Sequence, residues 1–129
     1  MIRMRDIITS PHITAPVGPY SHAVIGRGEL VYLSGQTGQH PSTGDIVTGG
    51  VRAETRQILA NLSRVLEAAG LDFTSVVKCN VFLIDMDDFD QMNETFAELV
   101  PSPYPARSTV AVAGLPLGAR VEIECVAVR

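Results

Sequence analysis

The stretch Pro105–Val128, PARSTVAVAGLPLGARVEIECVAV, reads as two strands joined by a turn. Ser108 to Ala113 alternates and is rich in small and β-branched residues. Two glycines and a proline in Gly114-Leu115-Pro116-Leu117-Gly118 mark a connection. From Ala119 to Val128 the alternation is clean. Val121, Ile123, Cys125 and Ala127 fall on one face, with Arg120, Glu122, Glu124 and Val126 on the other. Carboxylates in so apolar a strand are explained by solvent, because an antiparallel sheet can keep one face wet, or by a cation or ligand above that face. Arg107 is the nearby cation. A hairpin that pairs Ala111 with Glu122 puts Arg107, Thr109, Glu122 and Glu124 on one face, and a slip of one residue separates them.

Upstream, Phe73–Ile84 is the most apolar strand. Val77, Cys79, Val81 and Leu83 lie on one side, and Val76, Lys78, Asn80, Phe82 and Ile84 on the other. Apolar residues on both sides predict a strand covered on both faces, or one covered by a partner subunit. Lys78 and Asn80 fit a partly wet surface between subunits. The spacing of Ile58, Leu59, Leu62, Val65, Leu66 and Ala69 predicts a helix from about Val51 to Ala69, with Gly70 as a left-handed C-cap. Its charges, Arg52, Glu54, Arg56, Arg64 and Glu67, read as a solvated face. A second helix is predicted from about Asp88 to Leu99, with Asp87 as N-cap and a stripe of Phe89, Met92, Phe96 and Leu99. Asn93 lies near that stripe, where a polar amide needs a partner.

Met1–Ile8 predicts a short edge strand, and Pro11 and Pro16 forbid regular structure after it. Ser21–Ile25 and Leu30–Ser34 read as a hairpin around Gly26-Arg27-Gly28-Glu29. Gly35 then reads as a bulge or as a point of close backbone approach. Tyr20, after Gly18-Pro19, reads on residue type as an aromatic covering the end of a sheet. Taken in order this is β-β-α-β-α-β-β in one domain over residues 1–129, an α+β arrangement with two helices on one face of a mixed sheet.

Composition narrows the function. The net charge of −4 argues against non-specific nucleic-acid binding. Two cysteines, Cys79 and Cys125, sit in apolar alternating runs and read as buried, reduced core thiols. With three histidines scattered along the chain, no metal-ligand spacing is present. No signal-like h-region and no membrane-length apolar run occur, so a soluble cytoplasmic protein is expected.

The run Pro105-Ala106-Arg107-Ser108, followed by Leu115-Pro116 and Val121-Glu122-Ile123-Glu124, resembles the C-terminal signature of the RidA (YjgF) family. Gly18-Pro19-Tyr20-Ser21 and Leu33-Ser34-Gly35-Gln36 resemble its N-terminal signatures. The likeness spans nearly the whole chain in the same order. It implies a chorismate-mutase-like subunit that assembles as a homotrimer with its ligand clefts between subunits. It also implies hydrolysis of small 2-imino acids and 2-aminoacrylate to 2-oxo acids and ammonia, with no cofactor.

Under that resemblance Arg107 holds the substrate carboxylate and Glu122 orients or deprotonates the attacking water. Tyr20 lines the pocket, the Gly35 amide contacts the carboxylate, and Asn93 sits at the rim and braces the loop before Arg107. Thr109 stands where many active members carry cysteine, and its hydroxyl still hydrogen-bonds. Phe96 stands where tyrosine is common, and the segment from Asn93 to Arg107 is about three residues shorter than in the enteric members. On residue type alone, Arg107 is equally a structural partner of Glu122 or Glu124. The alternative function is a trimer that binds a 2-oxo acid or similar metabolite without turnover.

Overall fold

The C-terminal run forms the strand its alternation predicts, but its neighbours are not the ones chain proximity suggests. The computed structural model describes residues 3–129. Its elements are β1 (Arg5–Ile8), β2 (Ala23–Gly26), β3 (Leu30–Thr37), α1 (Gly50–Ala68), β4 (Val76–Leu83), α2 (Phe89–Leu99), β5 (Ala106–Ala111) and β6 (Val121–Val128). The edge strand expected over Met1–Ile8 is present from Arg5. Met1 and Ile2 lie outside the described residues.

β3, β6, β4 and β5 form a four-stranded sheet in that spatial order, and β1 pairs with β2 in a sheet of two. Both expected hairpins are therefore corrected. β2 does not pair with β3. The chain changes sheets at Gly28, where Glu29 and Arg129 exchange backbone hydrogen bonds of 2.8 and 2.9 Å. Gly28 has φ 109°, and a Cβ there would meet the Arg129 carbonyl oxygen at 2.5 Å, so only glycine allows the crossing. Nor does β5 pair with β6, because β4 lies between them. β4 and β5 are parallel and joined through α2, the kind of helical crossover a parallel pair needs. Residues 112–120 then carry the chain past β4 to β6.

One face of the sheet carries the core. Ile58, Leu62 and Leu66 of α1 and Met92 and Phe96 of α2 form one cluster with Cys79, Val81, Val121 and Ile123 of the strands. Both helices thus cover the same face, as an α+β layer requires. Phe96 and Leu62 are fully buried, each contributing on the order of 1.5–3 kcal/mol. A register shift between Val76 and Lys78 leaves Val77 as the extra residue. The expected grouping of Val77 with Cys79 fails there, and Val76 enters the core instead. On the opposite, helix-free face Tyr32 is 73% exposed and Val110 48%.

α1 ends as expected. Gly70 has φ 75°, its N–H donates to Glu67 O, and the Leu71 N–H donates to Leu66 O, each at 2.9 Å. This is a Schellman motif. Val65, expected in the stripe, is exposed at its margin. Glu54, expected on the solvated face, is buried and its Oε1 accepts from the Arg120 backbone N–H at 2.8 Å. The N-terminal signal of α2 also sits earlier than expected. A 3-10 turn, Met86–Asp88, precedes the helix, and Asp85 caps it by accepting from the Asp87 N–H at 2.9 Å.

Candidate functional site

β5 is an edge strand of the four-stranded sheet, and its first residues open onto a cleft of about 430 Å³. Tyr20, Ser21, His22, Lys78, Arg107 and Ser108 are among its lining residues, and no Asp or Glu is. Gly18-Pro19-Tyr20-Ser21 is tied against β5. The Ser21 N–H donates to Pro105 O at 3.1 Å, and Ser21 Oγ donates to Tyr104 O at 2.5 Å. The Tyr20 hydroxyl accepts from the Val17 N–H at 3.3 Å, which leaves its own proton to donate. His22 has both ring nitrogens engaged, Nδ1 with the Ser10 N–H at 3.1 Å and Nε2 with Thr14 O at 2.8 Å, so it tethers the 10–14 loop.

Arg107 pairs across the sheet with Cys79, and Cys79 with Cys125. Its side chain therefore takes the inner face, toward α2. Nη2 donates to Asn93 Oδ1 at 2.6 Å. Nη1 is buried and has no partner among the described residues. The guanidinium lies 5.1 Å from the centroid of the Phe96 ring, 5.8 Å from that of Tyr20 and 5.9 Å from that of Phe89. Burial lowers its pKa, and the nearness of Cys79 and Tyr20 opposes this in part. Arginine nonetheless remains charged. No carboxylate among the described residues forms an ion pair with it. The structural salt bridge to Glu122 or Glu124 is thus not made. Thr109, two residues along β5, takes the same face, and its Oγ1 is also buried without a partner.

Glu122 lies elsewhere. It pairs with Phe82, which pairs with Val110, so Glu122 occupies the outer face together with Glu124. The expected common face for Arg107, Thr109, Glu122 and Glu124 is corrected, because the hairpin on which it depended is absent. β4 separates the two strands, so they are roughly 10 Å apart before the side chains diverge. Glu122 instead meets Gly35. That glycine lies inside β3, at a register shift between Leu33 and Gln36. A Cβ on Gly35 would lie 2.5 Å from Glu122 Oε2. The bulge reading of this glycine matches the register shift, and the group lying close against it is the Glu122 side chain.

The candidates therefore form two groups. Arg107, Asn93, Tyr20 and Thr109 gather at the β5 edge, whereas Gly35 and Glu122 sit together on the outer face. The sequence reading missed Phe89 and Phe96 as walls for the guanidinium. Their signal was available, since Phe89, Asn93 and Phe96 recur at i, i+4 and i+7 on one helical face. A larger groove of about 650 Å³, lined by Val47, Leu59, Phe73 and Leu99 among others, contains none of the candidate residues. The smaller cleft, by contrast, is lined by Tyr20 and Arg107, and Arg107 carries the unpartnered Nη1. Among the described residues no three His, Cys, Asp or Glu side chains converge as metal ligands, and no helix is long and apolar enough to cross a membrane.

Arg107 and the Gly18–Ser21 motif beside it both fall within the span that a known family matches. The family model described as Endoribonuclease L-PSP matches residues 11–129. The 2-iminobutanoate/2-iminopropanoate deaminase of Homo sapiens is 44% identical over 126 residues, covering 98% of this chain and 91% of that protein. The protein of the same name from Dermatophagoides farinae is 48% identical over 124 residues, 96% of each. The crystal structure of RidA from the Antarctic bacterium Psychrobacter sp. PAMC 21119 is 41% identical, with a TM-score of 0.76, covering 96% of this chain and 99% of that one. The chain belongs to this family, the RidA family of the motif resemblance.

Proposed function

We propose that this protein hydrolyses 2-imino acids, including the tautomer of 2-aminoacrylate, to 2-oxo acids and ammonia. The observation that carries the reading is the half-buried Arg107 guanidinium, whose Nη2 is bonded to Asn93 and whose buried Nη1 has no partner and no paired carboxylate among the described residues. A desolvated cation of this kind is satisfied by an anion, and a guanidinium fork suits a carboxylate. The names of the relatives support the imine as the substrate class.

In this reading the substrate carboxylate seats on Arg107, and Tyr20 packs on or donates to the substrate. Thr109 Oγ1 finds its partner there. Glu122 orients a water and takes its proton as the oxygen attacks C2 of the imine. That proton goes to nitrogen to give the tetrahedral carbinolamine, the hydroxyl proton then passes to the nitrogen by way of Glu122 as the C–N bond breaks and the C=O forms, and ammonia leaves. Such imines hydrolyse unaided, so positioning supplies the modest barrier reduction needed. The guanidinium and carboxylate provide the charge, so the reaction calls for no metal or cofactor.

Because Arg107 and Glu122 occupy opposite faces, Glu122 and the Gly35 amide come from a second copy. Exposed Tyr32 and Val110 on the helix-free face support its being covered by such a copy. We take the assembly to be the family's homotrimer, working in the cytoplasm. The negative net charge gives an RNA substrate no support.

The test couples a dehydratase or an amino-acid oxidase to semicarbazide trapping of the imine. The protein is expected to suppress semicarbazone formation, and Arg107→Ala to abolish the effect. Undiminished semicarbazone with the wild type, alongside measurable 2-oxo acid binding, would instead establish a metabolite-binding trimer without turnover.

A further inference from the structure

Behind Arg107 the core holds two nucleophiles that the reaction does not use. Cys79 on β4 and Cys125 on β6 are directly opposite in an antiparallel pair, so their side chains share the inner face. Both are free and buried, at 1% and 3% exposure. Their sulfurs lie 3.3 Å apart. Opposed residues of an antiparallel pair have Cα atoms about 4.5 or 5.5 Å apart, and both values fall within the roughly 4.4–6.8 Å that a disulfide spans. Bringing the sulfurs to the bonded distance of about 2.05 Å takes an approach of about 1.3 Å, within reach of side-chain rotation.

We propose that Cys79 and Cys125 form an oxidative modification site, in which a small hydroperoxide converts the pair to a reversible disulfide within the chain that staples β4 to β6. The peroxide oxygen is transferred to the Cys79 sulfur, giving a sulfenic acid and releasing water or an alcohol. The Cys125 sulfur then attacks the Cys79 sulfur, the S–S bond forms, and hydroxide leaves with the Cys125 proton as a second water. Two thiols are oxidised, one peroxide is reduced, and the chain loses two hydrogens.

The surroundings distinguish the two sulfurs. Cys79, on β4, borders the edge strand β5, where it pairs with Arg107, whereas Cys125, on β6, does not touch that edge. The Cys125 thiol is pushed far up by its hydrogen bond with Cys79 and by burial, and it stays protonated. Cys79 is therefore the first sulfur oxidised. β5, whose Arg107 pairs with Cys79, is an edge strand. Local opening of that single strand admits a small oxidant. Once formed, the bond fixes the strand against which Arg107 is registered.

The experiment uses the full chain, reduced, desalted, exposed to hydrogen peroxide, then denatured and alkylated with iodoacetamide. We expect an intact mass lower by two hydrogens with no alkyl groups added, a tryptic fragment linking Cys79 to Cys125, and full reversal by dithiothreitol. The melting midpoint is expected to rise by roughly 5–15 °C. In Cys125→Ala the link must be absent and Cys79 must alkylate once or carry its own oxygens. Two alkylated cysteines in the oxidised wild type, separate oxygen additions on each sulfur, or a link between two chains would each overturn the proposal.

Discussion

Asn93 Oδ1 accepts a 2.6 Å hydrogen bond from Arg107 Nη2, and this contact decides which part of the fork is left for a ligand. Asn93 is a neutral partner, so it orients the cation without cancelling it. Asn93→Asp tests that distinction, because it places a carboxylate against the guanidinium. We expect this variant to bind 2-oxo acids more weakly than Asn93→Ala, which loses only the brace and weakens binding by about 10-fold. Calorimetric titration with pyruvate reads both. Equal affinities in the two variants would mean that the charge of Arg107 does not hold the ligand.

Arg107→Lys keeps the charge but gives up the planar fork. Its kcat/KM in the semicarbazide assay is expected to fall by about 100-fold or more. Wild-type activity in this variant would assign carboxylate recognition to other groups.

The opposite faces of Arg107 and Glu122 lead to a complementation test. Arg107→Ala and Glu122→Gln chains are each expected to be inactive alone. Unfolded together and refolded as mixed assemblies, they regain activity, since one interface then combines an intact arginine with an intact glutamate. Mixtures no more active than their components would place both groups of each site in one chain.

Gly35→Ala puts a methyl group where Glu122 Oε2 now lies, since a Cβ at this position would come within 2.5 Å of that oxygen. We expect kcat to drop at least 10-fold as the carboxylate is displaced, with 2-oxo acid affinity less affected than in the Arg107 variants. Unchanged kcat would remove Glu122 from the water-orienting role.

Glu54 sets a pH dependence of stability. Burial raises its pKa, and the Arg120 N–H and charge oppose this more weakly. The folded chain therefore holds this proton to higher pH than the unfolded chain does. Its contribution is fully present below the ordinary glutamate range of about 4.3 and is lost as pH rises through the raised value. Glu54→Gln keeps an oxygen acceptor for Arg120 and removes the ionisation. Its melting midpoint is expected to fall less than the wild type's over that interval. Parallel curves for the two proteins would show that Glu54 does not carry this dependence.

The elements whose order comes from local periodicity were legible. The α1 stripe around Ile58 and Leu62, the Gly70 cap and the inward set Val121, Ile123, Cys125 and Ala127 all follow from spacing alone. Pairing was not legible, because alternation assigns a side chain to a face and says nothing of which strand lies beside it. Hence β4 came between β5 and β6, and the common face of Arg107 and Glu122 dissolved. The Val77 bulge escaped for a related reason, since an extra residue leaves no mark in an apolar run. Arg107 stood out as the cation near the strand carboxylates and Asn93 as a polar amide beside an apolar stripe, and motif resemblance supplied their roles. Their direct contact, and the aromatic walls at Phe89 and Phe96, depend on α2 lying over the β5 edge.

The cleft beside β5 is lined by Arg107 and Lys78 and by no acidic side chain, on a chain whose formal net charge is −4. The lining charge of this cleft is thus opposite in sign to the net charge of the chain, which favours the approach of small anions there. Encounter should slow as ionic strength rises, since fields of exposed charges fade over about 8–10 Å in physiological salt. On the proposed seating of a carboxylate at the partly desolvated Arg107, the contact is screened far less, so arrival is expected to respond to salt more than retention does.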